Sequence, residues 1–95
     1  MNKLIISDID YQIIKNILDR YPYQFYAYGS RTKGNAKKYS DLDLCYLANI
    51  PRNEILNLNE ELIESDLSFK VDLINLNKVD LSFKKSIEKD LVLLN

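Results

Sequence analysis

The sequence predicts an α/β (α+β) domain, a small mixed sheet of three to four strands with helices packed on one face. Apolar residues recur at helical spacing in two long stretches, around residues 8–20 and 51–65. Two acidic stretches, DLDLCYL from Asp41 and FKVDLIN from Phe69, alternate in the manner of half-buried strands. Helices and strands therefore interleave. At 95 residues the chain has length for one domain, residues 1–95, with a single core that buries about 60 to 65% of its unfolded surface.

Ser7 followed by Asp10 is a variant of the N-terminal capping pattern. Ile9, Ile13, Ile14, Ile17, Leu18 and Tyr21 then recur at helical spacing, so a first helix is expected from about Asp8 to Arg20, ended by Pro22. Tyr23 to Tyr28 is a β-rich aromatic run leading into Gly29. A short helix is expected from Arg31 to Lys37, and a second strand from Asp41 to Leu47. Pro51 and Asn53 open a long helix with Ile55, Leu58, Leu62 and Ile63 on its apolar side, ending near Ser65. A third strand over Phe69 to Asn75 sets Phe69, Val71 and Leu73 on one face and Lys70, Asp72 and Ile74 on the other. The last helix, from roughly Asp80 to Lys89, carries Phe83 and Ile87 inward, and Leu91 to Leu94 adds a short final strand.

With 46% hydrophobic and 28% charged residues the composition is that of a folded, soluble protein, and no apolar run approaches the roughly 20 residues of a membrane span. The first ten residues, MNKLIISDID, lack the long apolar region of a signal peptide, so a cytoplasmic location is expected. One cysteine excludes an internal disulfide and a thiolate zinc cage, and the absence of histidine excludes imidazole bases and ligands. Any chemistry must use carboxylates and cations. Arg31, Lys33, Lys37 and Lys38 form a run of four cations without an acid, leaving nine of the thirteen cations against fourteen acids elsewhere. That balance argues against a nucleic-acid tract and favours a short anion beside the run.

Both glycines of the chain, Gly29 and Gly34, fall in the stretch YGSRTKGNAKKYSDLDLCY from Tyr28 to Tyr46. A glycine lets a backbone N–H approach a bulky anion, so the Gly29-Ser30 corner is a candidate phosphate seat. Asp41 and Asp43, spaced i, i+2 on a strand, point the same way, with Cα atoms roughly 6.5 to 7 Å apart. On the second strand Leu42, Leu44 and Tyr46 are expected under the helices, which leaves Asp41, Asp43 and Cys45 on the opposite face, together with Asp72 of the third strand. Carboxylate oxygens beside a phosphate seat suit Mg²⁺, which prefers them together with water and substrate phosphate. The bland alternatives are a solvated strand face for Asp41 and Asp43, an ordinary turn for Gly29-Ser30, a surface position for Asp72 and plain solvated charge for the cations. Cys45 reads as a packed strand residue with no base to activate it.

Gly29-Ser30, ten further residues and then Asp41-Leu42-Asp43-Leu44 resembles the signature of the polymerase-beta-like nucleotidyltransferase superfamily. Within it the chain looks like the minimal nucleotidyltransferases, small partners of HEPN-type or substrate-binding proteins in prokaryotes. The resemblance covers nearly the whole chain and implies that superfamily's fold, with the active site on the sheet face away from the helices. It further implies transfer of a nucleoside monophosphate, AMP from ATP, to an acceptor hydroxyl with release of pyrophosphate. In that scheme Asp41 and Asp43 hold two Mg²⁺ ions about 3.5 to 4 Å apart. Asp72 matches the third carboxylate, completing the metal site and taking the nucleophile's proton. Gly29, Ser30 and Arg31 grip the β and γ phosphates.

A chain of this length leaves no room for its own substrate domain, so a partner is expected to present the acceptor. The resemblance implies a HEPN-type helical protein, the two acting as toxin and antitoxin, with AMP added to a tyrosine of the toxin. Two alternatives stand beside this: an antitoxin that masks its toxin by contact without catalysis, and a transferase for a small molecule such as an aminoglycoside. Base preference, acceptor and self-association are not legible. Tyr28 and Tyr39 are both candidates to lie against a base.

Overall fold

Ser7 begins the first helix as the capping pattern requires: its side chain accepts the Asp10 N–H, and its hydroxyl donates to Asp10 Oδ2 at 2.9 Å. The computed structural model describes residues 4–34 and 40–95. In chain order the elements are α1 (Asp8–Leu18), β1 (Tyr26–Tyr28), α2 (Ser30–Lys33), β2 (Leu42–Tyr46), α3 (Arg52–Glu64), β3 (Val71–Asn75), α4 (Leu81–Glu88) and β4 (Val92–Leu93), with a 3-10 turn at Leu76–Lys78. Every predicted element within the described residues is present, most of them shortened at their ends. Phe25 N–H donates to Asn95 Oδ1 at 3.0 Å, so β1 begins only at Tyr26.

The sheet order is β3-β2-β1-β4. β1 pairs antiparallel with both β2 and β4, whereas β2 and β3 are parallel and joined through α3, so the sheet is mixed. Alternation along β2 divides the molecule. Leu42, Leu44 and Tyr46 join Ile14, Ile17, Leu18, Leu58 and Leu62 in the main core under α1 and α3. Cys45 goes the other way, packing with Tyr28, Leu76 and Ile87 in a second, smaller cluster. α4 thus covers part of the carboxylate face, through Ile87 and through Phe83, whose ring meets Tyr28 edge-on at 6.0 Å.

Three expected inward residues are not inward. Ile9 is 75% exposed and Ile63 82%, because the buried stripe of α1 runs through Asp10, Ile14, Ile17 and Leu18, and that of α3 through Leu58 and Leu62. Phe83 remains 38% exposed despite its contact with Tyr28. Among the described residues no helix is long and apolar enough to cross a membrane.

Candidate active site

The chain leaves β1 at Tyr28 and turns at Gly29, whose φ of 84° and ψ of −154° lie in a region that only glycine adopts readily. A second constraint acts at the same residue. A Cβ placed there would stand 2.5 Å from Asp43 Oδ2, so the bare Gly29 backbone lies directly against the Asp43 carboxylate. The corner and the acidic strand are therefore immediate neighbours. The Ser30 hydroxyl, partly exposed at the start of α2, has no partner among the described residues. Gly34, with φ 80°, ends α2 after a single turn.

Parallel pairing sets Asp43 opposite Asp72 across β2 and β3, so their side chains share a face. Asp41 precedes the first paired residue of β2 and is exposed. Burial pushes the Asp43 carboxyl above its ordinary range, and the charges of Asp72 and then Asp41 push it further. Tyr28, in register with Asp43, feels the same field: burial first, then Asp43 and Asp72, hold its hydroxyl proton up to about 12. Among the described residues none of the three carboxylates has an ion pair or a hydrogen-bond donor. Uncompensated oxygen anions, two of which raise the proton affinity of Asp43, fit a hard divalent cation. They do not form a ready cage, since no three acidic, histidine or cysteine side chains among the described residues converge closely enough to hold an ion.

Arg31 is placed differently from the expectation. Its side chain is buried, 5% exposed, and runs into the protein behind the corner. Nε and Nη2 donate to the Ser40 carbonyl at 3.0 and 2.7 Å, Nη1 donates to the Ile5 carbonyl at 3.1 Å, and the guanidinium lies 4.1 Å from the Phe69 ring centroid. It supports the corner from inside. Lys33 pairs with Asp90 at 3.9 Å, while Lys37, Lys38 and Tyr39 lie outside the described residues. Cys45 is fully buried, and burial raises its thiol to about 11, which makes it inert. A concavity on the far side of the sheet, beside α1 and α3, is lined by Arg20, Tyr21, Asn57, Glu60, Glu61 and Glu64. There Glu61 accepts from both Arg20 and Tyr21, and none of the candidate site residues takes part.

Sequence reasoning missed Asp10. Only 8% exposed, it accepts from the Ser68 N–H at 3.2 Å and the Ser68 hydroxyl at 2.7 Å. The signal was present in the spacing: Asp10 stands four residues before Ile14 and eight before Leu18, on the buried stripe.

Residues 12–95 match the family described as Polymerase beta, Nucleotidyltransferase. A probable protein adenylyltransferase, MntA, of Haemophilus influenzae is 38% identical over 96 residues, covering 97% of this chain and 84% of that protein. A crystal structure from Shewanella oneidensis shares the fold with a TM-score of 0.63 at 20% identity, over 95% of this chain and 72% of that one. With the glycine corner set against a paired-carboxylate strand, and with a match over nearly its whole length, the chain belongs to the polymerase-beta-like nucleotidyltransferases and is a minimal member of them.

Proposed function

We propose that the chain transfers AMP from ATP to a hydroxyl of a partner protein, with Mg²⁺ held by Asp41, Asp43 and Asp72. The observation that supports this reading is the contact of the Gly29 backbone with the Asp43 carboxylate, so that a phosphate bound at the corner would lie beside a cation bound by the strand. The name of the Haemophilus influenzae relative supports adenylyl transfer to protein. Gly29 and Ser30 take the β and γ phosphates, with the Ser30 hydroxyl as donor. Mg²⁺, when bound, supplies charge neutralisation at the phosphoryl oxygens. The acceptor oxygen attacks the α phosphorus, the bond from that phosphorus to the oxygen bridging to the β phosphate breaks, and pyrophosphate leaves. The acceptor's proton passes to Asp72, since no histidine exists to take it.

The carboxylates lie on an open sheet face that this chain covers only in part, through α4. The acceptor is therefore presented by another chain. We assign that partner to the HEPN-type helical proteins, the pair acting in the cytoplasm as toxin and antitoxin. The test is the intact mass of the partner that co-purifies with this chain, after incubation with Mg²⁺ and each nucleoside triphosphate, with Asp43→Asn in parallel. An increase of one AMP that Asp43→Asn fails to give is expected. A stable complex without any adduct would replace this reading by neutralisation through contact, and modification of an aminoglycoside without the partner would replace it by small-molecule transfer.

A further inference from the structure

The buried charges Asp10 and Arg31 touch none of the three carboxylates, yet each grips a segment that leads into a carboxylate-bearing strand. Arg31 puts two N–H groups on the carbonyl of Ser40, the residue before Asp41. Asp10 holds the backbone N–H and hydroxyl of Ser68. The next residue, Phe69, lies under the Arg31 guanidinium, three positions before Asp72. Between the two segments the Leu42 N–H donates to the Lys70 carbonyl at 2.8 Å, the rung that starts the pairing of β2 with β3. A third strand of the clamp is the N-terminal segment: Arg31 donates to the Ile5 carbonyl, and the Ile5 N–H returns a bond to the Arg31 carbonyl at 2.6 Å.

We propose that Asp10 and Arg31 are positioning residues for the transferase, a buried clamp that sets the start of β2 against the start of β3 so that Asp43 and Asp72 bind one cation. The chemistry of the clamp is selective. Only a planar fork can hold one carbonyl with two N–H groups while stacking on an aromatic ring, so lysine is a poor substitute for Arg31. A carboxylate at position 10 accepts both Ser68 donors and faces the Arg31 charge; asparagine keeps the shape and loses the charge. The same charge is felt in return, for Arg31 is among the groups that hold the Asp10 carboxyl below its usual range against the opposing effect of burial.

This inference rests on the proposed transferase reading, and the experiment separates the two. Wild type, Asp10→Asn, Arg31→Lys and Arg31→Met, each with the co-purified partner, are compared in two ways. Mg²⁺ is titrated against the backbone amide resonances of Leu42 to Leu44, and transfer is followed by intact mass at saturating ATP. Positioning predicts that folded Asp10→Asn and Arg31→Lys need at least about 5-fold more Mg²⁺ for half-saturation and lose about 10-fold or more in kcat, since a misplacement of 1 Å at a reacting centre costs up to about 100-fold. In Asp10→Asn, whose altered side chain bonds Ser7 and Ser68 and not the Gly29-Ser30 corner, the KM for ATP stays within about 2-fold. Unchanged Mg²⁺ midpoints in the folded variants, with a lowered melting temperature alone, would overturn the proposal and leave the clamp as ordinary stabilisation. If wild type shows no transfer while the variants still shift the Mg²⁺ midpoint, the positioning role stands and the acceptor assignment falls. Should Arg31→Met fail to fold, Asp10→Asn and Arg31→Lys decide the matter.

Discussion

Gly29→Ala is the substitution for which the structure gives the sharpest expectation, because two independent penalties act at one atom. The backbone, at φ 84° and ψ −154°, would cost a residue with a side chain about 1 to 3 kcal/mol. The new Cβ would also sit 2.5 Å from Asp43 Oδ2 and 3.4 Å from its Cγ, so the carboxylate must leave its rotamer, at about 0.5 to 1.5 kcal/mol. Together these give about 1.5 to 4.5 kcal/mol, which for a domain of this size lowers the melting temperature by at least about 6 °C. Kinetics should suffer independently, since a displaced Asp43 costs up to about 100-fold in kcat even in the folded fraction. A double-mutant cycle with Asp43→Ala isolates the contact. Truncation removes Oδ2 and Cγ and leaves a Cβ at 3.6 Å, an ordinary contact, so in that background Gly29→Ala should cost only its backbone penalty. Thermal melts by circular dichroism on the four proteins measure the coupling, expected at about 0.5 to 1.5 kcal/mol. Strictly additive melts, or a Gly29→Ala protein that melts with wild type and transfers at its rate, would refute the direct contact of corner and carboxylate.

Asp43→Asn should abolish transfer yet raise the melting temperature without metal, because it removes a like-charge pair worth a few tenths to about 1 kcal/mol; a lower melting point would contradict the repulsion. The pH dependence follows with a definite sign. The folded Asp43 carboxyl titrates above its ordinary 3.8, so its stability contribution is present below 3.8 and lost as pH rises through the folded value. Urea denaturation at several pH values should show that loss in wild type and not in Asp43→Asn. Asp10 has the opposite sign: burial raises it, but hydrogen bonds from Ser68 and Ser7 and the Arg31 charge outweigh burial. Its contribution is present above 3.8 and lost as pH falls through the lower folded value, and Asp10→Asn should lose that acid-side slope. Cys45, buried with its thiol near 11, should resist iodoacetamide in the native protein and label at once in denaturant; fast native labelling would mean that α4 opens readily.

What was legible in the sequence and what was not divide along the range of the interactions concerned. Alternation with period two is a local property, so the split of β2 into Leu42, Leu44 and Tyr46 on one side and Asp43 and Cys45 on the other followed from the sequence and holds. The same holds for the cap at Ser7, whereas Gly34, inside the helix expected from Arg31 to Lys37, ends α2. Cross-strand register is not local, and the pairing of Asp43 with Asp72 depended on a guess at which strands are neighbours. Nor was the fate of Arg31 readable. A cation beside a glycine corner suggests an anion, and only the return of residues 5 and 40 to its neighbourhood turns it inward onto two carbonyls. Ile9 and Ile63 failed for a related reason: hydropathy ranks them as core, but the angle at which a helix meets the sheet selects the stripe, and both lie off it.

The site and the clamp behind it solve one electrostatic problem in opposite ways. The buried Asp10 carboxylate accepts three donors, the Ser7 hydroxyl and the Ser68 hydroxyl and N–H, besides feeling the Arg31 charge, so its negative charge is compensated within the fold. Asp43 is partly buried, faces two further carboxylates and has no compensating donor among the described residues, so its charge stays uncompensated within them. A chain of this size has little stability to spare, and an uncompensated carboxylate in it is a standing cost. The cost is borne at Asp43 and avoided at Asp10, although Asp10 is the less exposed of the two. That contrast argues that the exposed charge of Asp41, Asp43 and Asp72 is held ready for a cation, and that the compensated charge of Asp10 is held to keep the strands in place while the cation binds.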